Sequence, residues 1–275
     1  MTNDRDMNAG GQSGLNPAAE CLDNVWFSWG NIWRQPLPHL AHERVTRWAL
    51  RLVMTVCRSY VVLVQDAERI GPDKDPFILA LNHNQKCEAL VVPATLIFIR
   101  GGKMVHFLSD WNFRLIPGLA FLLRRAQTIP LGNKPARPRF LNRLKPFIAP
   151  AQSGFARAQE CLRQGRSVGI FPEGTVNRDP GKLLRGRSGA SKLSLTTGCP
   201  VIPAGIHFPG WPPGQRIGEL IPLSLRIGEP LYPEEVIAAP TTDQVWAWHA
   251  RIMGEIARLS NKQCEPTTKR TIQCH

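Results

Sequence analysis

The run Pro76–Ile99, PFILALNHNQKCEALVVPATLIFI, changes character twice within 24 residues. Pro76 to Leu81 is a short apolar stretch of the kind that forms a strand buried on both faces. Cys87 to Ile99 reads as a helix. Its apolar part, Ala89 to Ile99, contains Pro93 and falls short of the ~18 residues a membrane-spanning helix needs, so a helix buried in a core is expected. Between the two, Asn82-His83-Asn84-Gln85-Lys86 turns the chain.

Working downstream, strand-like and helix-like pieces alternate. Strands are expected over Val105–Leu108, Gln127–Leu131, Ser167–Phe171, Val201–Ile206 and Leu223–Ile227. Helices are expected over Phe155–Gln164, Gly189–Thr197 and Val245–Ser260, and a Pro- and Arg-rich loop over Gly132–Pro150. Such alternation predicts an α/β fold, with a central, mostly parallel sheet flanked by helices. Upstream, ERVTRWALRLVMTVCRSY places Val45, Trp48, Leu52 and Val56 on one stripe at helical spacing, with Arg44, Arg47, Arg51 and Arg58 beside it. This N-terminal amphipathic helical segment fits two readings: a helix lying in a membrane interface, or one packed on the domain with its arginines in water. The organisation expected is a polar, disordered head over 1–36 that ends in the Trp-rich patch Trp26, Trp29 and Trp33. An amphipathic segment over 37–64, a main domain over 65–262 and a tail over 263–275 follow.

The 275 residues carry a formal net charge of +13. From Arg100 to Lys192 there are 18 Lys/Arg against 4 Asp/Glu, so this stretch holds the whole excess. An anionic partner is implied: nucleic acid, an anionic membrane surface or a phosphorylated substrate. No helix-turn-helix, zinc finger or aromatic RNA-binding block is present, and nucleic acid is not expected as a partner. The seven cysteines (21, 57, 87, 161, 199, 264 and 274) are odd in number and widely spaced. They point to a reducing compartment rather than a disulfide scaffold, and no metal-ligand spacing is seen. Residues 1–15 lack the apolar core of a signal peptide.

Four clusters stand out, of which the last is by itself core. His83 stands at a strand end with Glu88 five residues on, and a carboxylate on one ring nitrogen fixes the tautomer while the other nitrogen takes a proton. Gly118 to Arg125 ends in an arginine pair, Arg124 and Arg125, able to fork onto phosphate oxygens. The run Phe171-Pro172-Glu173-Gly174-Thr175 stops a strand in a tight turn whose N–H groups can hold an anion. Gly198 to Ala204 is a helix stop and a buried strand. Taken singly, each also has a plain structural reading.

In this order and spacing the four clusters resemble the four sequence blocks of the glycerolipid acyltransferase family, the family of the 1-acylglycerol-3-phosphate acyltransferases. Its Asn-His-x-x-x-x-Asp is matched by Asn82, His83 and Glu88. Its Gly–apolar–Arg block is matched by Gly118, Phe121 and Arg124, and its Phe-Pro-Glu-Gly-Thr stands whole at 171–175. The apolar-Ile-Pro strand is matched at Val201–Pro203. The resemblance covers roughly residues 40 to 230. Departures are Glu88 for the usual Asp, Gln85 where Ser is frequent, and Val176 where Arg commonly follows Thr, with Arg178 two places later.

The resemblance implies that residues 65–262 form an acyltransferase domain. His83 would take the proton of an acceptor hydroxyl, oriented by Glu88, while Arg124, Glu173, Gly174 and Thr175 bind the acceptor's phosphate. The acyl donor would be acyl-CoA or acyl carrier protein, the acceptor 1-acylglycerol-3-phosphate and the product phosphatidic acid, with no cofactor and no metal. The expected place of work is the cytoplasmic face of the cell membrane, as a peripheral protein on an anionic surface. Two alternatives stay open: another lysolipid or an amino-acid-derived lipid as acceptor, and a non-catalytic basic membrane-binding protein.

Overall fold

The structure, a computed structural model, describes residues 27–264 apart from 133–134, 136–138 and 149–151. Its helices are α1 (Trp29–Arg34), α2 (Arg44–Cys57), α3 (Glu88–Ile99), α4 (Pro117–Arg125), α5 (Lys145–Ile148), α6 (Gly154–Arg163), α7 (Gly189–Thr197) and α8 (Thr242–Ser260). The strands are β1 (Val61–Gln65), β2 (Ile78–Leu81), β3 (His106–Asp110), β4 (Ile129–Leu131), β5 (Val168–Ile170), β6 (Lys182–Leu183), β7 (Val201–His207), β8 (Leu223–Ile227) and β9 (Gln263–Cys264). Seven strands form one sheet in the order β1-β8-β7-β2-β5-β3-β4. Every pairing is parallel except β7 with β8. This is the mostly parallel, helix-flanked α/β sheet read from the sequence.

The period-2 geometry of strands divides the core in two. In β2, Ile78 and Ala80 join the cluster with α6, α7 and α8, whereas Leu79 and Leu81 join the one with α1, α2 and α3. All four β2 residues are buried, which is why Pro76–Leu81 is apolar at every position. In a parallel sheet, residues that follow a strand gather at its carboxyl edge and those that precede one gather at the amino edge. His83, following β2, and Phe171–Thr175, following β5, therefore share an edge. The antiparallel turn from β7 into β8 brings loop 208–222 to that edge too.

Three elements differ from the expectation. Val61–Gln65 pairs with β8 and belongs to the sheet rather than to the amphipathic segment of 37–64. Gln263–Cys264 pairs in parallel with Lys182–Leu183, so the tail begins as a strand. Of the polar head, residues 1–26 lie outside the described residues, and the Trp patch is folded from Phe27 onward, with Ile32 and Phe27 fully packed. Helix α2 buries Thr46, Leu50 and Met54, and leaves the stripe Val45, Trp48, Leu52 and Val56 between 51% and 67% exposed.

Candidate active site

The site is built on the turn after β2. Asn82 prolongs the β2–β7 ladder with its side chain: its Nδ2 donates to Ile206 O at 2.9 Å and its Oδ1 accepts from Ile206 N at 2.7 Å. That lock fixes the next residue. His83 Nδ1 lies 2.9 Å from Glu88 Oε2, and the same oxygen accepts from Asn84 N at 2.6 Å. Glu88 is the first residue of α3 and sealed from solvent, while the His83 side chain keeps 12% of its surface open. A carboxylate at a helix N-terminus sits where the helix dipole favours negative charge. The longer Glu in place of Asp is accommodated by this turn, which wraps the backbone of Asn84 onto the carboxylate. Phe171 lies against the imidazole, with ring centroids 4.5 Å apart.

Glu173 approaches from the turn after β5. Its Oε1 accepts from His83 N at 3.2 Å, and its Oε2 from Asn177 Nδ2 at 2.7 Å and Leu184 N at 2.9 Å. Burial pushes its carboxyl up, and the hydrogen bonds from Leu184, Asn177 and His83, with Lys262 nearby, pull it back. Asn177 N donates in turn to His83 O at 2.7 Å. Both oxygens of Glu173 accept bonds from backbone or Asn177, and these hold the turn. Gly174 adopts φ +65°, and a Cβ there would lie 3.1 Å from Arg187 Nε. Thr175 is exposed beside it.

The structure does not bring Arg124 to this group. Arg124 occupies the last turn of α4, which precedes β4, and so lies at the amino edge of the sheet, opposite His83. The cationic side chain placed next to Gly174 is that of Arg187, and the backbone N–H of Arg187 donates to Pro172 O at 2.8 Å. Arg178 is held by Glu219 and Ile217 O in loop 208–222. The same loop is pinned to the histidine turn by Gln85, which donates to Ile221 O at 2.9 Å and accepts from Ile221 N at 2.8 Å. Lys86 N adds a bond to Glu219 at 3.0 Å.

A further residue escaped the sequence reading. Lys262 is 8% exposed, and its Nζ donates to Asn84 Oδ1 and Asp179 O. Burial lowers its pKa, and the charges of Glu173, Glu88 and Asp179 oppose that fall. It offsets the two buried carboxylates on either side of His83. Two devices aim it there. Asn261 takes a left-handed conformation that ends α8, and the close approach of α8 to β7 requires Gly205, where a Cβ would meet Leu259 C at 2.3 Å.

A helix-bound carboxylate orienting a partly open imidazole, next to a positive-φ turn with a guanidinium, suits general-base attack by a hydroxyl on an acyl group. The acyltransferase family's sequence profile matches residues 61–207, more than half of the chain. The chain belongs to the acyltransferase family. Among its relatives is the 1-acyl-sn-glycerol-3-phosphate acyltransferase of Bacillus subtilis, 28% identical over 214 residues, which span 78% of this chain and 94% of that one. The enzyme of the same name from Borreliella burgdorferi is 38% identical over 68 residues, 25% of this chain and 26% of its own length. The chloroplast enzyme of that activity from Arabidopsis thaliana is 26% identical over 144 residues, 52% of this chain and 35% of its own. The match thus spans only about a quarter to a third of these last two relatives. The crystal structure of the 1-acyl-sn-glycerophosphate acyltransferase of Thermotoga maritima shares the fold, with a TM-score of 0.51 at 20% identity over 85% of this chain and 88% of that one.

Proposed function

We propose that this chain transfers a fatty acyl group from an acyl thioester, acyl-CoA or acyl carrier protein, to the free hydroxyl of 1-acylglycerol-3-phosphate, giving phosphatidic acid. The observation that carries the reading is the His83–Glu88 pair at 2.9 Å, set beside an intact Phe-Pro-Glu-Gly-Thr turn. With Nδ1 engaged by Glu88, Nε2 removes the hydroxyl proton. The oxygen attacks the thioester carbonyl, the C–S bond breaks, and the departing thiolate recovers the proton from the imidazolium. Glu88 offsets the charge that the ring bears in between. No covalent acyl-enzyme is needed, so donor and acceptor bind together.

The turn at Gly174 and Thr175 with Arg187 is the part of the site suited to the acceptor's phosphate: Gly174 N is used by Phe171 O, and the exposed Thr175 hydroxyl and the neighbouring guanidinium are the donors that favour a dianion. For the acyl chain there is an apolar groove lined by Leu50, Val53, Leu90, Pro93, Ile97 and Leu122. It starts one residue past Glu88 and follows α3 for about 12 Å, at 1.5 Å per residue. The exposed stripe of α2 suits a peripheral seat on a cytoplasmic anionic leaflet. Trp48 lies 5.0 Å from Trp33, and Arg51 and Arg58 lie over Trp33 and Trp29. No helix among the described residues is long and apolar enough to cross a membrane.

The test is direct. Purified protein receives a labelled acyl thioester with a panel of lysolipids and amino-acid lipids, and products are resolved by mass. Phosphatidic acid is the expected product. Acylation of an amino-acid lipid alone would replace the acceptor, and absence of product with every acceptor would overturn the reading.

A further inference from the structure

A cavity of about 360 Å³ opens beside β4, the strand at one end of the sheet order, and none of its lining residues belongs to the His83 group. Arg114, Arg124, Arg157 and Arg166 line it with a single carboxylate, Glu160. The four arginines come from four places in the fold: the turn after β3, the end of α4, α6, and the turn before β5. Among the described residues none of the four is ion-paired with a carboxylate. Glu160 accepts instead from Gln164. Arg114 donates to Thr128 O at 3.3 Å and buries its Nε without a partner. Burial, then the neighbouring charges of Arg157 and Arg124, pull its guanidinium below the ordinary value.

His106 also lines it, and its surroundings favour the neutral ring. It is buried, shares a hydrogen bond with Gln127 O at 3.0 Å, and is held below its usual pKa by burial and by Arg166. The fold thus gathers like charges from distant segments and supplies no ion-paired acid to offset them. Converging guanidiniums present forked donors that match phosphate oxygens, and a bound dianion removes their mutual repulsion. We propose that this cavity binds a phosphate-bearing anion, at a site separate from that of the acyl acceptor. Thr128 is a wall of both this cavity and the apolar groove. The phosphate can therefore come from a lipid headgroup or from solution. The inference stands independently of the acyl-transfer reading.

Calorimetric titration at low salt tests it, with inorganic diphosphate as the soluble probe and dihexanoyl-phosphatidate as the lipid one. Saturable binding of at least one is expected. Arg157→Gln with Arg166→Gln should weaken it at least ~10-fold, as the loss of charge-assisted bonds does. These two are used before Arg114, which also holds Thr128 O. Arg187→Gln, at the proposed acceptor site, should leave this affinity unchanged. The bound anion should raise the melting temperature of the wild type and of Arg187→Gln, and not that of the double variant. Binding of diphosphate alone assigns a soluble ligand, and of the lipid alone a headgroup. No saturable binding of either probe, or binding lost in Arg187→Gln and intact in the double variant, overturns the proposal.

Discussion

The two edges of the central sheet handle charge in opposite ways. At the carboxyl edge Glu88 and Glu173 are buried within reach of Lys262, and their oxygens take bonds from Asn84, His83, Asn177 and Leu184. Beside β4, at one end of the strand order, four guanidiniums share one cavity with a single carboxylate. The first constellation sets a cation near its acids and holds His83 Nδ1 on Glu88, although Glu88 Oε1 and Asn84 Nδ2 are buried without a partner. In the second, none of the four guanidiniums is ion-paired with a carboxylate among the described residues. Part of the basic excess of residues 100–192 therefore lines one cavity, with Arg124 and Arg166 exposed and Arg114 and Arg157 half-buried.

The largest effect should come from the balanced edge. His83→Ala should cut turnover at least ~10²-fold, the low end for a general base, with thermal unfolding little changed. Product formation and melting temperature, measured on one preparation, check it. Near-normal turnover in the folded variant would remove His83 from the mechanism. Lys262→Met comes next. It removes the Nζ bonds to Asn84 Oδ1 and Asp179 O and the positive charge near the two carboxylates, so a loss of about 1–3 kcal/mol of stability is expected, together with slower turnover. Denaturant unfolding and turnover number test it. A variant as stable as the wild type would mean that the carboxylates do not depend on Lys262. Lys262→Arg should recover part of the turnover, which a purely steric role would not allow.

The third comparison sets the edges against each other. Arg187→Gln should raise the acceptor KM by about 10-fold, one lost charge-assisted contact, while Arg124→Gln should change it less than about twofold. The reverse result would return Arg124 to the acceptor site. The smallest effect should lie on the outer face of α2. Changing Trp48 and Leu52 to Ser should weaken the salt-resistant part of binding to anionic vesicles several-fold and spare turnover on short-chain, water-dispersed substrates. Sedimentation with anionic and neutral vesicles at two salt concentrations reads this out. Equal pelleting of wild type and variant would mean that the stripe does not meet lipid.

Much of the architecture was legible because apolar runs such as Ile78–Leu81 and Val201–Ile206 are bounded by polar turns or by Gly and Pro. Strand β1 was not, since Arg58-Ser59-Tyr60 contains no Gly or Pro to separate it from the preceding helix. The two-residue strands β6 and β9 are shorter than any period can reveal. In the site, His83, Glu88 and Phe171–Thr175 were legible because each group is contiguous. Lys262 was not: a lysine after a helix end resembles any solvated lysine, and its bond to Asn84 spans 178 residues. Arg124 was misplaced for a topological reason. Its closeness to a strand was visible, but a residue before a parallel strand stands at the opposite edge from one after it.

The pairing of β9 with β6 has a consequence for synthesis. The His83 turn leaves the ribosome early, and the cation that balances its carboxylates follows 178 residues after Asn84. At roughly 5–20 residues per second that interval is on the order of ten seconds or more. Throughout it, the emerging chain already carries the tryptophan-bearing α2 but has no finished acid–base centre. The His83 turn gains its buried lysine only when α8 docks on β7 and β9 pairs with β6.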